Sequence, residues 1–232
     1  EDYVVLDADS VLNGSATSKT ASVTVDAGAY ISDQDIDAAT FVSLDAANDV
    51  ANTSILAGGD VTVGDDATVV SLHTGEIVSG GAVDINLTEE MDGSTVNALG
   101  TVTVTANNVT NSNVDADDLI DVDAVTDISN SAFKGDLAGA VAVDLEAGES
   151  IRNSDVLAPA GAAELTATAG EIDASDVQAL EDITAGAGDA IFASSFVSET
   201  ADLDITSGGD IAGSDFYAKA GSASFNDGGA TG

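Results

Sequence analysis

The stretch that decides the fold is Val50-Ala51-Asn52-Thr53-Ser54-Ile55-Leu56-Ala57, because the same order of residue types returns along the chain. It stands again at Val109-Thr110-Asn111-Ser112-Asn113-Val114-Asp115-Ala116, at Ile151-Arg152-Asn153-Ser154-Asp155-Val156-Leu157-Ala158 and at Ile172-Asp173-Ala174-Ser175-Asp176-Val177-Gln178-Ala179. Each copy opens on an aliphatic residue and passes two turn-type residues to Ser or Thr. Two places later it has a bulky apolar residue, and two later again Ala. Self-similarity at a fixed period near 20 residues is the signature of a stacked repeat architecture.

Taking the opening aliphatic as the start of a coil places eleven coils at Leu12, Ile31, Val50, Val69, Met91, Val109, Ile128, Ile151, Ile172, Ile191 and Ile211. The coil from Val69 fits worst, with Leu72 where Ser belongs and Thr74 where an aliphatic belongs. The second half of each coil alternates, as in Val23-x-Val25-x-Ala27, Val42-x-Leu44-x-Ala46, Val102-x-Val104-x-Ala106 and Ile120-x-Val122-x-Ala124. Strict alternation means a strand with one buried face. The acids respect it: Asp121 and Asp123 sit between inward residues, and Asp202 and Asp204 flank Leu203, so these carboxylates are expected to point outward. Extra residues are expected in coils four, seven and eight, between the Ala position and the alternating strand.

The third coil position is Gly14, Asp33, Asn52, Gly93, Asn111, Asn130, Asn153 or Gly213 in eight coils. These types tolerate the left-handed backbone that a sharp corner requires. Proline, which cannot donate to a ladder, occurs once, at Pro159 in an insertion. The reading is therefore an all-β, single parallel β-solenoid. It spans residues 1–232 as one domain, with a partial coil over 1–11, coils over 12–225 and a tail over 226–232. Phe196 and Phe216 share a position in adjacent coils and are expected to stack inside. Ser112 with Ser131, and Ser154 with Ser175, Ser194 and Ser214, are expected to form a hydroxyl ladder at a corner. The competing β-sandwich explains the alternation but not a repeat near 19 residues.

Composition narrows the function classes. Hydrophobic residues make up 44% of the chain, yet there is no Trp, and small aliphatics supply most of them. That suits a narrow interior between closely spaced strands. Forty-two acids oppose four bases, Lys19, Lys134, Arg152 and Lys219, a formal charge of −38. Such a surface repels nucleic acid and anionic membranes, so neither is an expected partner. No apolar run is long enough to span a bilayer, and direct membrane insertion is not expected. There is no cysteine, so disulfides give no compartment signal. The start at Glu1 fits a mature form after removal of a signal peptide. Sequons at Asn13, Asn52, Asn86 and Asn108 permit glycosylation in a secreted protein.

The stretch Ser175-Asp176-Val177-Gln178-Ala179-Leu180-Glu181-Asp182-Ile183-Thr184-Ala185, with Thr206-Ser207-Gly208-Gly209-Asp210-Ile211, resembles the repeats of filamentous haemagglutinin-like secreted exoproteins. The resemblance covers most of the chain from about Leu12. It implies a right-handed parallel β-helix acting as an adhesin or surface fibre, outside the cell. The chain departs from that family in its acidity and shortness.

No residue pattern points to catalysis, and no enzyme activity is expected. His73 is the only histidine, at an outward offset of the most irregular coil. A polysaccharide-cleaving site is the third reading, weakened by the scarcity of bases and aromatic platforms. No organic cofactor is expected. Calcium is the candidate cation, at Asp155 and Asp176, which share a position in successive coils, and at Asp115 and Asp117. Neither region has an EF-hand's glycine and terminal Glu. The leading functional reading is a fibre subunit that joins copies head to tail through Tyr3, Val4, Val5 and Leu6 at one end and Phe216 and Phe225 at the other. The alternative is a segment of a longer adhesin that binds cell-surface carbohydrate or a receptor.

Overall fold

In the computed structural model, which describes residues 3–64 and 69–228, all strands belong to one parallel sheet wound into a β-solenoid of about eleven turns. Each coil carries three strands. The A strand holds the opening aliphatic residue, the B strand the next four-residue stretch, such as Asp176–Ala179, and the C strand the alternating stretch, such as Ile120–Ala124. Along Ile120–Ala124 every second residue is buried and Asp121 and Asp123 are exposed, as the alternation requires. Asp202 and Asp204 are exposed likewise, around a fully buried Leu203.

The A column runs Val11, Ile31, Val50, Leu72, Met91, Val109, Ile128, Ile151, Ile172, Ile191, Ile211. Two starts therefore differ from the sequence reading. The first coil opens at Val11, and Leu12 pairs with Ser32 and is exposed. An irregularity between Ala8 and Ser10 shortens that turn and moves the phase by one. The fourth coil opens at Leu72, and Val69 makes only an isolated bridge to Leu87. Read from Leu72, the coil is regular: Ile77 is buried where a bulky apolar residue belongs and Ser79 takes the Ala place.

The insertions move accordingly. The third coil, not the fourth, is long, and its extra residues follow the C strand Val61–Val63. Coil seven inserts between Gly135 and Val143, as expected. Gly135 makes this possible, because a Cβ there would lie 2.1 Å from the Ala142 carbonyl oxygen, and Ala142 is fully buried. Coil eight divides its extra residues between the two sides of the C strand Ala162–Ala167.

All eleven A–B corners have positive φ at the third position. They are Asn13, Asp33, Asn52, Thr74, Gly93, Asn111, Asn130, Asn153, Ala174, Ala193 and Gly213. Asn13 holds the first corner rather than Gly14, which follows from the shifted phase. The next residue turns inward. Ser94, Ser112, Ser131, Ser154, Ser175 and Ser194 are buried. Their hydroxyls carry the expected ladder: Ser112 N–H donates to Ser131 Oγ (3.1 Å), Ser154 N–H to Ser175 Oγ (3.4 Å), Ser175 N–H to Ser194 Oγ (3.2 Å) and Ser194 N–H to Ser214 Oγ (3.2 Å). Each hydroxyl donates in turn to the carbonyl two residues back, as Ser194 Oγ does to Phe192 O at 2.7 Å. A corner residue must satisfy backbone groups that the strands cannot reach, and Ser does so in little volume. Among the described residues no buried side-chain N or O lacks a partner.

The interior is one contiguous apolar column. At the B-strand position it runs through Ile36, Ile55, Ile77, Val96, Val114, Phe133, Val156, Val177 and Phe196, each at most 2% exposed. Full burial of such side chains contributes roughly 1.5–3 kcal/mol each. Successive layers stack at about 4.8 Å, so the rod is on the order of 55 Å long.

Candidate functional site: the open ends and the charged flanks

The two edges of the described stack differ from its middle because the ladder stops there. At one edge the strand segment Val4–Ala8 pairs only with Val23–Ala27. Val4 and Leu6 pack against the core, while Tyr3 and Val5 are exposed. At the other edge Ala223–Asp227 pairs only with Leu203–Ser207 and is exposed throughout. Phe216 stacks on Phe196 with centroids 5.3 Å apart and planes 4° from parallel, as the shared coil position predicts. Phe225 closes on Phe216 edge to face at 4.8 Å. Ile211, Phe216, Phe225, Asn226 and Asp227 line an open hollow of about 590 Å³. This hollow lies at the edge of the described stack, over the apolar cross-section of the coil that holds Ile211 and Phe216.

The flanks are acidic, and Lys134, Arg152 and Lys219 are paired within them. Lys134 Nζ donates to Asp115 (3.1 Å) and Asp136 (2.9 Å), and these carboxylates, Asp136 first, raise its pKa. Arg152 bridges Glu171 (3.0 Å) and Asp127 (3.2 Å) and donates to Ser150 Oγ (2.8 Å). Lys219 pairs with Glu199. His73 Nε2 lies 3.9 Å from Glu90 Oε1. Beside it, hydrogen bonds from Asn111 and Thr110 hold Asp92 below the usual carboxylate range.

Of the four calcium candidates, Asp155 and Asp176 do meet, as cross-coil neighbours on the B face. Asp115 lies in an earlier coil and is taken up by Lys134, and Asp117 lies beyond it at the following corner. Among the described residues no group of three or more His, Cys, Asp or Glu is arranged to hold a metal ion. Another carboxylate array lies on the C face, where the ladder sets Asp121, Asp144 and Glu164 in one row and Asp123 and Glu146 in the next. Burial first, then Glu164, Asp121 and Glu146, push the Asp144 pKa up to about 6. Its signal lay in the outward positions of successive C strands, but the coil-seven insertion hides the alignment.

The sequon residues sit at the surface. Asn13 and Asn52 are exposed corner residues, and Asn86 is exposed on a C strand. Asn108 is half-buried, its Oδ1 accepting the Asp127 N–H at 3.3 Å. On the B face Asn113, Ala132, Lys134, Asp155, Leu157, Asp176 and Gln178 line a groove of about 330 Å³.

The fold and flanks define a parallel β-solenoid of about eleven turns with an acidic exterior. No protein-family model, curated protein or solved structure matches the chain, and the likeness to filamentous haemagglutinin-like repeats rests on the quoted pattern.

Proposed function

We propose that the chain is an extracellular structural protein, a β-solenoid unit that extends end to end into a surface or matrix filament. The observation that carries this reading is the apolar edge of the described stack at Ile211, Phe216 and Phe225. It offers apolar surface and an unpaired strand edge together, and a further coil satisfies both. Charge favours the axial direction. Lateral contact sets acidic flanks against each other, whereas axial contact adds one layer of neighbours across an apolar joint. Added salt or calcium screens the flank repulsion and favours assembly. Head-to-tail contact of this kind does not close and gives open filaments. The test is electron microscopy with sedimentation of the purified chain over a range of concentration and salt. Filaments of single-rod width are expected, lost in Phe216→Asp and Phe225→Asp variants that keep the monomer's β-sheet spectrum. A chain that stays monomeric throughout removes the reading.

The B-face groove supports a second reading, an adhesin segment that binds carbohydrate. Its amides and carboxylates surround a floor of Ala132 and Leu157. Saccharide titration of the monomer, followed at Gln178 and Asn113 by NMR, tests it: shifts confined to the groove support it, and none sink it.

A further inference from the structure

The B face carries a carboxylate pair that the chain leaves without a base. Asp155 and Asp176 face outward on adjacent B strands, directly opposed in the ladder. Like charges so placed repel. At two other places on the flanks a base of the chain bridges such carboxylates. Lys134 Nζ joins Asp115 and Asp136, one layer apart, at 3.1 and 2.9 Å. Arg152 spans Asp127 and Glu171, two layers apart, at 3.2 and 3.0 Å. Among the described residues no base reaches Asp155 or Asp176, and Asp176 accepts only a long hydrogen bond from Gln178 Nε2, at 3.4 Å.

The surface around the pair is hollowed on both sides. On one side lies the groove of about 330 Å³. Its wall steps back at Ala132, the small residue between Asn113 and Asp155 in the ladder. Across the ridge of Leu157 and Gln178 a second hollow, of about 220 Å³, is lined by Pro159, Leu180 and Glu199. Leu157 and Leu180 are 39% and 37% exposed there. An acidic hollow and an apolar one thus lie side by side along the strand direction. They are separated by about 7–13 Å, the length of two to four residues of extended chain.

We propose that these hollows dock an extended basic segment of a partner protein, which seats a lysine ammonium between Asp155 and Asp176 and an apolar side chain against Leu157 and Leu180. The spacing selects ammonium over guanidinium. Adjacent rungs lie about 4.8 Å apart, so one nitrogen centred between the carboxylates meets both at about 2.8 Å. Lys134 makes that arrangement within the chain, whereas Arg152 takes carboxylates two layers apart. The lysine stem lies along Ala132 and Leu157, as such stems cover apolar surface. The apolar residue stands two or four places from the lysine, because an extended segment presents every second side chain to one face. Charge decides the kind of partner. A second copy brings a further formal charge of −38 to an acidic flank, whereas a basic segment is drawn to it. The site lies on the side of the rod and does not depend on an end-to-end joint.

The test uses the full chain and a labelled peptide, acetyl-Ser-Thr-Lys-Thr-Leu-Thr-Ser-amide, followed by fluorescence anisotropy at physiological salt. Saturable binding is expected, with NMR shifts at the Asn113 and Gln178 side-chain amides. Norleucine in place of the peptide's lysine keeps the stem and removes the ammonium. Affinity is then expected to fall about tenfold or more, as for loss of a doubly charge-assisted contact. Asp155→Asn with Asp176→Asn is expected to do the same. Asp121→Asn with Glu164→Gln removes the same charge from the C face and is expected to change affinity by less than about twofold, because charges that far away are screened. No saturable binding, or equal losses from the two double variants, overturns the site, the latter in favour of diffuse attraction to the acidic rod. A norleucine peptide that binds as well as the lysine peptide overturns the ammonium seat. Shifts at the two amides with maltose but not with the peptide overturn the basic partner and leave the carbohydrate reading of the groove standing.

Discussion

The corners give the sharpest quantitative expectation. Eight of the eleven left-handed positions hold Asn, Asp or Gly, but Thr74, Ala174 and Ala193 adopt φ of 50°, 50° and 46° with side chains unsuited to it. For an L-residue this geometry costs roughly 1–2 kcal/mol, and a β-branched residue lies at the upper end. Asn relieves much of that strain without glycine's entropy loss. Thr74→Asn is expected to stabilise by about 1–1.5 kcal/mol, and Ala174→Asn and Ala193→Asn by about 0.5–1 kcal/mol each. Positions 174 and 193 are neighbours in the corner column, so their double variant need not be additive. Asn153→Ala, at the same corner with φ 48°, is expected to lose about as much as Ala174→Asn gains. Urea unfolding of the four single variants, read at the midpoint, checks the set. Gains at 74 and 174 together with a loss at 153 are required. If Ala174→Asn destabilises while Asn153→Ala is neutral, the corner geometry is wrong.

Other expectations follow from burial and charge. Val177→Asp sets an unpaired carboxylate in the fully buried column and should lose several kcal/mol; a variant with normal melting counts against the register. Ser175→Ala leaves the buried Ser154 N–H without its acceptor, while the Asp173 carbonyl keeps the Asn153 N–H, so a loss of about 1–2 kcal/mol is expected in urea. Asp144 has a folded pKa raised to about 6 from 3.8, so the stability it contributes is full below the lower value and is lost as pH rises through the upper. Asp144→Asn should therefore raise stability at pH 7 by about 1–2 kcal/mol, allowing for solvent screening, and change little near pH 3.5. At neutral pH, salt or calcium should raise the melting temperature by screening the flanks, and indifference to both, with chelator inert, removes that idea.

The fold was legible because two periods coincide in the sequence. The near-19 residue return of Val50–Ala57 and the alternation of Ile120–Ala124 each specify a layer. Phase was lost where aliphatics supplied a decoy. Val69 lies 19 residues after Val50 but belongs to the end of a long coil, and Gly75 and Ser79 at the Ser and Ala places hid the true start at Leu72. Val11 and Leu12 are adjacent aliphatics, and only the irregularity after Ala8 decides between them. The cross-coil pairing of Asp115 with Lys134 follows from the period itself. The row Asp121, Asp144, Glu164 does not, because the coil-seven insertion separates its first two members by more than the common repeat.

The absence of cysteine from the sequence opens a direct test of the joint. With Val4–Ala8 of one copy continuing the C ladder on Ala223–Asp227 of the next, Val5 lies over Ser224, both facing outward on C strands. Adjacent parallel strands bring such positions to about 5 Å between Cα atoms, within disulfide reach. A Val5→Cys, Ser224→Cys chain, oxidised under assembling conditions, should give a ladder of covalent multimers on a denaturing gel, with either single variant giving dimers at most. Monomer alone from the double variant, with no filaments in the same sample by electron microscopy, would contradict the end-to-end account.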